Sequence, residues 1–452
     1  MYHKILDFFA GKRIAILGFG MEGKSTYRFI RRYMKDISLT VIDQKNMQLE
    51  NEALFSLDHS LSFVYGEHYL ENLEKYDVIM KSPGISFKDI DISKIRNKIY
   101  SQIELLLMFY RDNMIGITGT KGKSTTSTLI YQVLCESGKD TRLVGNIGIP
   151  VFDEIEEYTD HTILVVEMSS HQLEYVDFSP HIGIILNLFE DHLDHAGSVE
   201  HYYASKMHMF DYQREEDISI YSRDNKNLCE YIKNGNYRSH MYPVQLEYDS
   251  NCVSLKGNEV RFQDTVLYVD DHQRHLLGTH NLENIMVVML VAKLLNLDLE
   301  KAKKTVDSFR GLEHRLEFVG VFGDVTYYND AIATIPEATM NGIRALKKVD
   351  TLIFGGMDRG IDYSQFITYL LHADISNLIC MPTTGYKIGQ LLMEEGCTKN
   401  IVFVDTLEEA VATAKKVTAK GGICLLSPAA SSYEYFKNFQ EKGNCYKKLV
   451  QD

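Results

Sequence analysis

The chemistry in this chain of 452 residues begins with eight consecutive positions, Thr118-Gly-Thr-Lys-Gly-Lys-Ser-Thr125, which follow the apolar run Met114-Ile-Gly-Ile117. In a loop of this composition the backbone N–H groups of Gly119, Thr120, Lys121 and Gly122 turn inward around β- and γ-phosphate oxygens. Lys123 adds a point charge, the Ser124 hydroxyl is a ligand for Mg²⁺, and Thr125 opens a helix whose N-terminus favours anions. The spacing is the short form of this motif, since Ile117 stands where the long form has its first glycine. A chance turn of Gly and Lys would lack the buried strand before it and the helix after it. ATP is the expected ligand.

Acids and imidazoles follow. Glu167 ends an apolar run and precedes Met-Ser-Ser170-His-Gln172, and a carboxylate at a strand's C-terminal end beside a phosphate loop is well placed to hold Mg²⁺. The plainer alternative is a solvated glutamate. Asn187-Leu-Phe-Glu-Asp191-His192-Leu-Asp194-His195 is too ionisable for a core and reads as either a metal site or an acidic turn. Mg²⁺ prefers oxygen, so chemistry alone favours Asp191 over His192. Lys206 has the setting of an ordinary helix-face lysine.

A second glycine loop, Gly18-x-Gly20-x-x-Gly23, follows Arg13-Ile-Ala-Ile-Leu17, with Asp43 twenty residues past the last glycine. That is the dinucleotide fingerprint with its ribose-binding acid, and also the pattern of a plain tight turn. Its helix N-terminus suits any diphosphate. Near the other end, His314-Arg315 and Asp330 bracket a short strand and could grip a nucleotide's phosphate and ribose, or form a surface ion pair. Gly355-Gly-Met-Asp358-Arg359-Gly360 and Ser427-Pro-Ala-Ala-Ser-Ser432 both follow apolar runs, at the edge where open α/β sheets bind ligands.

These residues require three α/β units to carry them. Strand–glycine loop–helix patterns open near residues 13, 114 and 325, and the expected architecture is α/β in three domains, 1–110, 111–309 and 310–452. The first is Rossmann-like, with strands Arg13–Leu17, Leu39–Ile42 and Val78–Met80. The second is a P-loop ATPase domain with strands Met114–Thr118, Thr162–Val166 and Ile182–Asn187. Its segment 217–275 alternates in short stretches and predicts an appended small sheet of antiparallel hairpins, followed by a helix from Asn284 to Leu297. The third is again Rossmann-like, with strands beginning near Val325, Thr351, Leu378, Ile401 and Gly422. A net charge of −14 argues against nucleic acid or an anionic membrane surface as partner. Seven scattered cysteines without a CxxC pair fit unpaired thiols in a reducing cytoplasm, and no run of ~18 apolar residues predicts a membrane span. The expectation is a cytoplasmic protein, monomeric, acting on small molecules.

The phosphate loop, Gly145-Asn-Ile-Gly148, Glu167-Met-Ser-Ser-His-Gln-Leu-Glu174, Asn187 to Asp194, His280-Asn281, His314-Arg315 and Ser427 to Gly443 stand in the order found in the Mur ligases. The last block resembles the MurD type in particular, and the similarity spans essentially the whole chain. The resemblance implies that ATP phosphorylates the carboxylate of UDP-N-acetylmuramoyl-L-alanine and that the amine of glutamate displaces the phosphate, in cytoplasmic peptidoglycan precursor synthesis. It implies two Mg²⁺, one held by Ser124 and Glu167, the other by His192 and a Lys206 converted to a carbamate, with Lys123, His192 and Lys206 catalytic. Gly18, Gly20, Asp43, Gln44, Ser82, Asn146, Ser169 and Ser170 resemble the UDP-substrate contacts. Asn281, Arg315 and Asp330 resemble the adenine-nucleotide clamp, and Thr334, Arg359, Ser432 and Phe439 the glutamate pocket.

One stretch departs from the pattern. The family reads Asp-Ser-Lys-Ala-Thr-Asn where this chain has Asp330-Ala-Ile332-Ala-Thr-Ile335, so a cation near the incoming glutamate is missing or is supplied by Arg359 or Lys437. The stereochemistry of the amino acid is therefore open at this stage. A sibling ligase adding L-glutamate or another amino acid and a nucleotide-binding protein without turnover are the competing readings. An NAD oxidoreductase would leave most of the motifs unused.

Overall fold

The structure, a computed structural model, describes every residue except 1, 57, 59, 89, 147–149, 191–196, 272, 277, 359–360 and 433–434; for residues 49, 50, 52 and 53 it describes the backbone alone. Two compact units result, Met1–Phe309 and Arg310–Asp452. The first contains two sheets and the second contains one.

The first sheet has five parallel strands in the spatial order Leu61–Tyr65, Leu39–Asp43, Ile14–Leu17, Val78–Lys81 and Ile99–Tyr100. Its central strand Ile14–Leu17 is buried at all four positions, as expected of a parallel sheet covered on both faces. The second sheet has nine strands and is centred on Met114–Thr118, which pairs in parallel with Ile163–Glu167 on one side and Ile182–Ile185 on the other. Beyond Ile182–Ile185 the strands Ile218–Ser222 and His240–Gln245 continue in parallel. Only Val253–Lys256, Glu259–Phe262 and Thr265–Val269 run antiparallel to one another.

The hairpin expectation for 217–275 is thus corrected for its first half. Ile218–Ser222 and His240–Gln245 are joined by the helix Lys226–Asn234, and a helical crossover returns the chain parallel. Both strands mix buried with partly exposed positions, so neither carries the continuous apolar run of a parallel strand covered on both faces. The helix expected from Asn284 to Leu297 spans Thr279–Leu294 instead.

A glycine notch fixes one helix on this sheet. Gly116 and Gly183 are paired partners on adjacent strands. A Cβ on Gly116 would stand 2.9 Å from Met209 Sδ, and one on Gly183 would stand 2.8 Å from the Met209 carbonyl oxygen. The missing side chains let the helix Val199–Asp211, which carries Lys206, lie directly on the strands. At the end of this unit the helix Leu299–Ser308 packs on Lys123–Glu136 and Thr279–Leu294.

The second unit is a six-stranded sheet in the order Glu317–Phe322, Val325–Asn329, Ile423–Leu426, Val349–Phe354, Asn377–Cys380 and Asn400–Phe403. All neighbours are parallel except the first pair. Glu317–Phe322 was not anticipated although Phe318–Phe322 is apolar; the run is broken by Gly320 and lies half-buried or exposed at the sheet edge.

Candidate functional site

The phosphate loop sits at the C-terminal end of the central strand, and its helix starts at Lys123, two residues earlier than expected. Gly119 and Gly122 have φ of +150° and +87°, a region that disfavours side chains. A Cβ on Gly122 would come within 2.8 Å of Asn284 Oδ1. Asn187, two residues past the strand Ile182–Ile185, braces the loop. Its Oδ1 accepts from Lys121 N at 2.8 Å, its Nδ2 donates to the Lys121 carbonyl at 3.0 Å, and its own carbonyl accepts from Thr120 N. Lys123 Nζ folds back to donate to the carbonyls of Gly119 and Thr120 at 2.9 and 3.1 Å. An arriving phosphate offers that ammonium stronger, charged acceptors.

Glu167 ends the neighbouring strand in register with Ile117, and only 1% of its surface is exposed. Asn146 Nδ2 donates to its Oε1 at 2.7 Å, whereas its Oε2 is buried without a hydrogen-bond partner among the described residues. A buried carboxylate oxygen left unsatisfied is costly, and a hard cation satisfies it. Ser124 is buried in the first turn of the facing helix, so the pair fits Mg²⁺. Lys206 Nζ is buried above the same loop, donating to the Gly119 carbonyl at 3.1 Å and lying 4.8 Å from the Tyr202 ring centroid. His192, together with Asp191, Asp194 and His195, lies outside the described residues, as does Arg359.

Beside the loop opens a cavity of about 490 Å³ whose lining includes Lys121, Asn187, Asn225, His280, Glu283 and Asn284. The volume suits a nucleotide base and sugar. Asn281 is one helical turn from Asn284, whose amide reaches it at 3.4 Å. Asn284 and Asn225 were not singled out in the sequence; the i, i+3 spacing from Asn281 was the available signal for the first. Asn225 gave none, because its Oδ1 also caps the helix Lys226–Asn234 and reads as a cap.

At the first sheet the expected residues gather at adjacent strand ends. Gly18 has φ +87°, and Ser82 Oγ donates to its carbonyl at 2.7 Å. Asp43 Oδ2 accepts from Phe19 N at 2.8 Å, so the acid holds the glycine loop itself. Gly20 caps the helix Met21–Tyr33, and Gln44 is exposed beside it. Ser169 and Ser170 lie after Glu167. The Ser169 hydroxyl belongs to a capping box with Gln172 at the start of the short helix Ser170–Leu173.

In the second unit the expected residues cluster by topology at the C-terminal ends of the parallel strands. Asp330 follows Val325–Asn329 and accepts from Leu316 N at 3.1 Å and Ser427 Oγ at 2.8 Å. Burial pushes its carboxyl up to about 6. Arg315 is exposed between two residues of positive φ, His314 and Leu316, whose strain presents it to solvent. Ser432 Oγ is buried with no hydrogen-bond partner among the described residues, Thr334 N donates to the Ile332 carbonyl, and the Phe439 ring lies 6.0 Å from that of His314. Lys442 escaped the sequence reading. It is fully buried, donates to the Gly355 carbonyl at 2.9 Å, and is brought down to about 8 by burial.

Three families match the chain in succession: the Mur ligase MurD-like N-terminal domain over 12–103, the Mur ligase middle domain over 117–292, and the Mur ligase glutamate ligase domain over 314–430. The chain is 32% identical over 458 residues to the UDP-N-acetylmuramoylalanine–D-glutamate ligase of Clostridium botulinum, covering 99% of this chain and 98% of that one. It is 31% identical over 470 residues to the ligase of the same name from Clostridium kluyveri, with the same coverage. Among solved structures, the fold matches MurF ligase from Thermotoga maritima in complex with ADP, with TM-score 0.55, 15% identity and coverage of 97% and 94% of the two chains. It also matches the UDP-N-acetylmuramate–alanine ligase MurC from the same organism, with TM-score 0.54, 17% identity and coverage of 97% and 99%. With end-to-end similarity on this scale and the phosphate loop, Glu167 and Lys206 gathered at one sheet edge, the chain belongs to the Mur ligase family, in its MurD-type branch.

Proposed function

We propose that this protein joins D-glutamate to UDP-N-acetylmuramoyl-L-alanine at the expense of ATP, releasing ADP and phosphate, in cytoplasmic peptidoglycan precursor synthesis. The observation that carries the reading is 32% identity over 99% of the chain to ligases named for that reaction. The choice of D- over L-glutamate rests on those names, since Ile332 offers no cation at the position where the family pattern has one.

The chemistry runs in two steps. A substrate carboxylate oxygen attacks the γ-phosphorus of ATP and ADP departs; the glutamate amine then attacks the acyl carbon and phosphate leaves. A carboxylate is a poor acyl donor until phosphate becomes its leaving group, and charge on the transferring group must be neutralised as it moves. Lys123 does this by exchanging its contacts with the loop carbonyls for γ-phosphate oxygens. Ser124 and Glu167 would hold one Mg²⁺, and a carbamylated Lys206 with His192 the other. Mg²⁺ held by these residues would supply Lewis-acid neutralisation of charge on the transferring phosphoryl group. Asn146 fixes the Glu167 carboxylate, and Asn187 keeps the N–H groups of the loop aimed at the phosphates. Asn284 lines the base and sugar site with Asn281 one helical turn away, and in the second unit Arg315 and Asp330 are assigned to nucleotide binding by the family resemblance. Gly18, Gly20, Asp43, Gln44 and Ser82 receive the UDP end, while Thr334, Arg359, Ser432 and Phe439 receive glutamate. The enzyme acts as a monomer.

The test is phosphate release by the purified protein with Mg-ATP, UDP-N-acetylmuramoyl-L-alanine and either enantiomer of glutamate. Release with D-glutamate and not with L-glutamate is expected. Release with L-glutamate alone would convert the reading to a sibling ligase, and no release with either would sink it.

A further inference from the structure

The glycine loop of the first sheet carries an unusual neighbour for a diphosphate. Glu22 lies in the first turn of the helix Met21–Tyr33, two residues past Gly20. Its Oε1 accepts from Gln172 Nε2 at 2.9 Å, across 150 positions of sequence. The same Gln172 side chain accepts, through Oε1, from Ser169 N at 3.1 Å and Ser169 Oγ at 3.2 Å. One amide therefore ties Glu22 to the segment that follows Glu167. Lys81 approaches Glu22 from the end of the strand Val78–Lys81; it is 5% exposed and stands 3.7 Å from Glu174 Oε2. Behind it, His201 bonds Glu174 Oε1 at 3.0 Å.

We propose that Glu22 takes up a proton from solvent when the diphosphate of the UDP-linked substrate docks on the Gly18–Gly23 loop, while Gln172 holds the acid in place. The inference rests on the function proposed above. Two negative charges arriving at a helix N-terminus are favoured by its backbone dipoles, but a fixed carboxylate in the first turn opposes them. The acid is held by Gln172, so the conflict is resolved by protonation rather than by swinging away. Burial already lifts Glu22 to about 7, against the pull of Gln172 and Lys81, and further negative charge acts in the same direction. Lys24, in the same turn, is partly exposed, and other groups around this helix are engaged elsewhere. Gln102 Nε2 donates to the Glu22 carbonyl and to Thr26, Arg28 pairs with Asp153, Arg32 pairs with Glu156, and His171 lines the cleft beside Lys81. Lys81 is the competing proton acceptor, since burial lowers it to about 8.

Titration calorimetry of UDP-N-acetylmuramoyl-L-alanine in two buffers of different ionisation enthalpy measures the proton directly. Its diphosphate is a diester and contributes no ionisation near neutrality. The wild-type protein is expected to take up about one proton per site at pH 8 and close to none at pH 6. Glu22→Gln should bind without uptake at either pH, with an affinity that no longer falls as pH rises, while Lys81→Met keeps the uptake. Uptake that persists in Glu22→Gln overturns the inference, whether or not Lys81→Met folds, and leaves the proposed function standing. Absence of any binding by the wild-type protein would remove both.

Discussion

Glu167 is where the chemistry of single residues is most sharply defined. One carboxylate oxygen is occupied by Asn146 and the other is buried without a partner among the described residues, which is the arrangement of a ligand awaiting a cation. Glu167→Gln keeps the acceptor for Asn146 and removes the charge. It is expected to leave the melting temperature within a few degrees while Mg²⁺-dependent turnover falls at least about 100-fold, and Asn146→Ala should lose about 10- to 100-fold. Full turnover of Glu167→Gln would exclude it from the metal site. Sequence alone could rank Glu167 because it ends an apolar run beside a phosphate loop. It could not find the Gln172–Glu22 contact, whose partners are far apart in the chain, nor Lys442, whose burial depends on a helix folding over Gly355. Arg315 and Asp330 could be singled out in the sequence as residue types, but the tie of Asp330 to Ser427 and the Leu316 amide could not.

Elements fix what residues cannot. The phosphate loop holds its shape because Gly119 and Gly122 adopt positive φ and Asn187, two residues past the neighbouring strand, bonds the loop. Gly122→Ala adds a left-handed strain of about 1–2 kcal/mol and brings Cβ against Asn284 Oδ1. Because that clash falls where the nucleotide cavity meets the loop, ATP affinity is expected to fall at least about tenfold, while far-ultraviolet circular dichroism stays unchanged. Unaltered affinity, measured by calorimetry, would refute the account. Strands buried on both faces, such as Ile14–Leu17 and Met114–Thr118, announced themselves as apolar runs. The partly exposed strands Ile218–Ser222 and His240–Gln245 did not declare their direction, because neither is a continuous apolar run and only the intervening helix decides.

At the scale of the whole molecule, each compact unit has hydrophobic clusters of its own: those of the second draw only on residues after 310, and those described in the first only on residues before it. Residues 310–452 produced alone are therefore expected to show a cooperative thermal transition and the circular dichroism of an α/β fold. A broad, non-cooperative melt would mean that this unit needs the rest of the chain. The route by which the chain leaves the first unit adds a mechanical point. Its last helix, Leu299–Ser308, rests on the helix that begins with Lys123 and ends one residue before the junction at Phe309. The helix that opens at the phosphate loop and the helix that ends at the chain's exit from the first unit therefore share one packing surface.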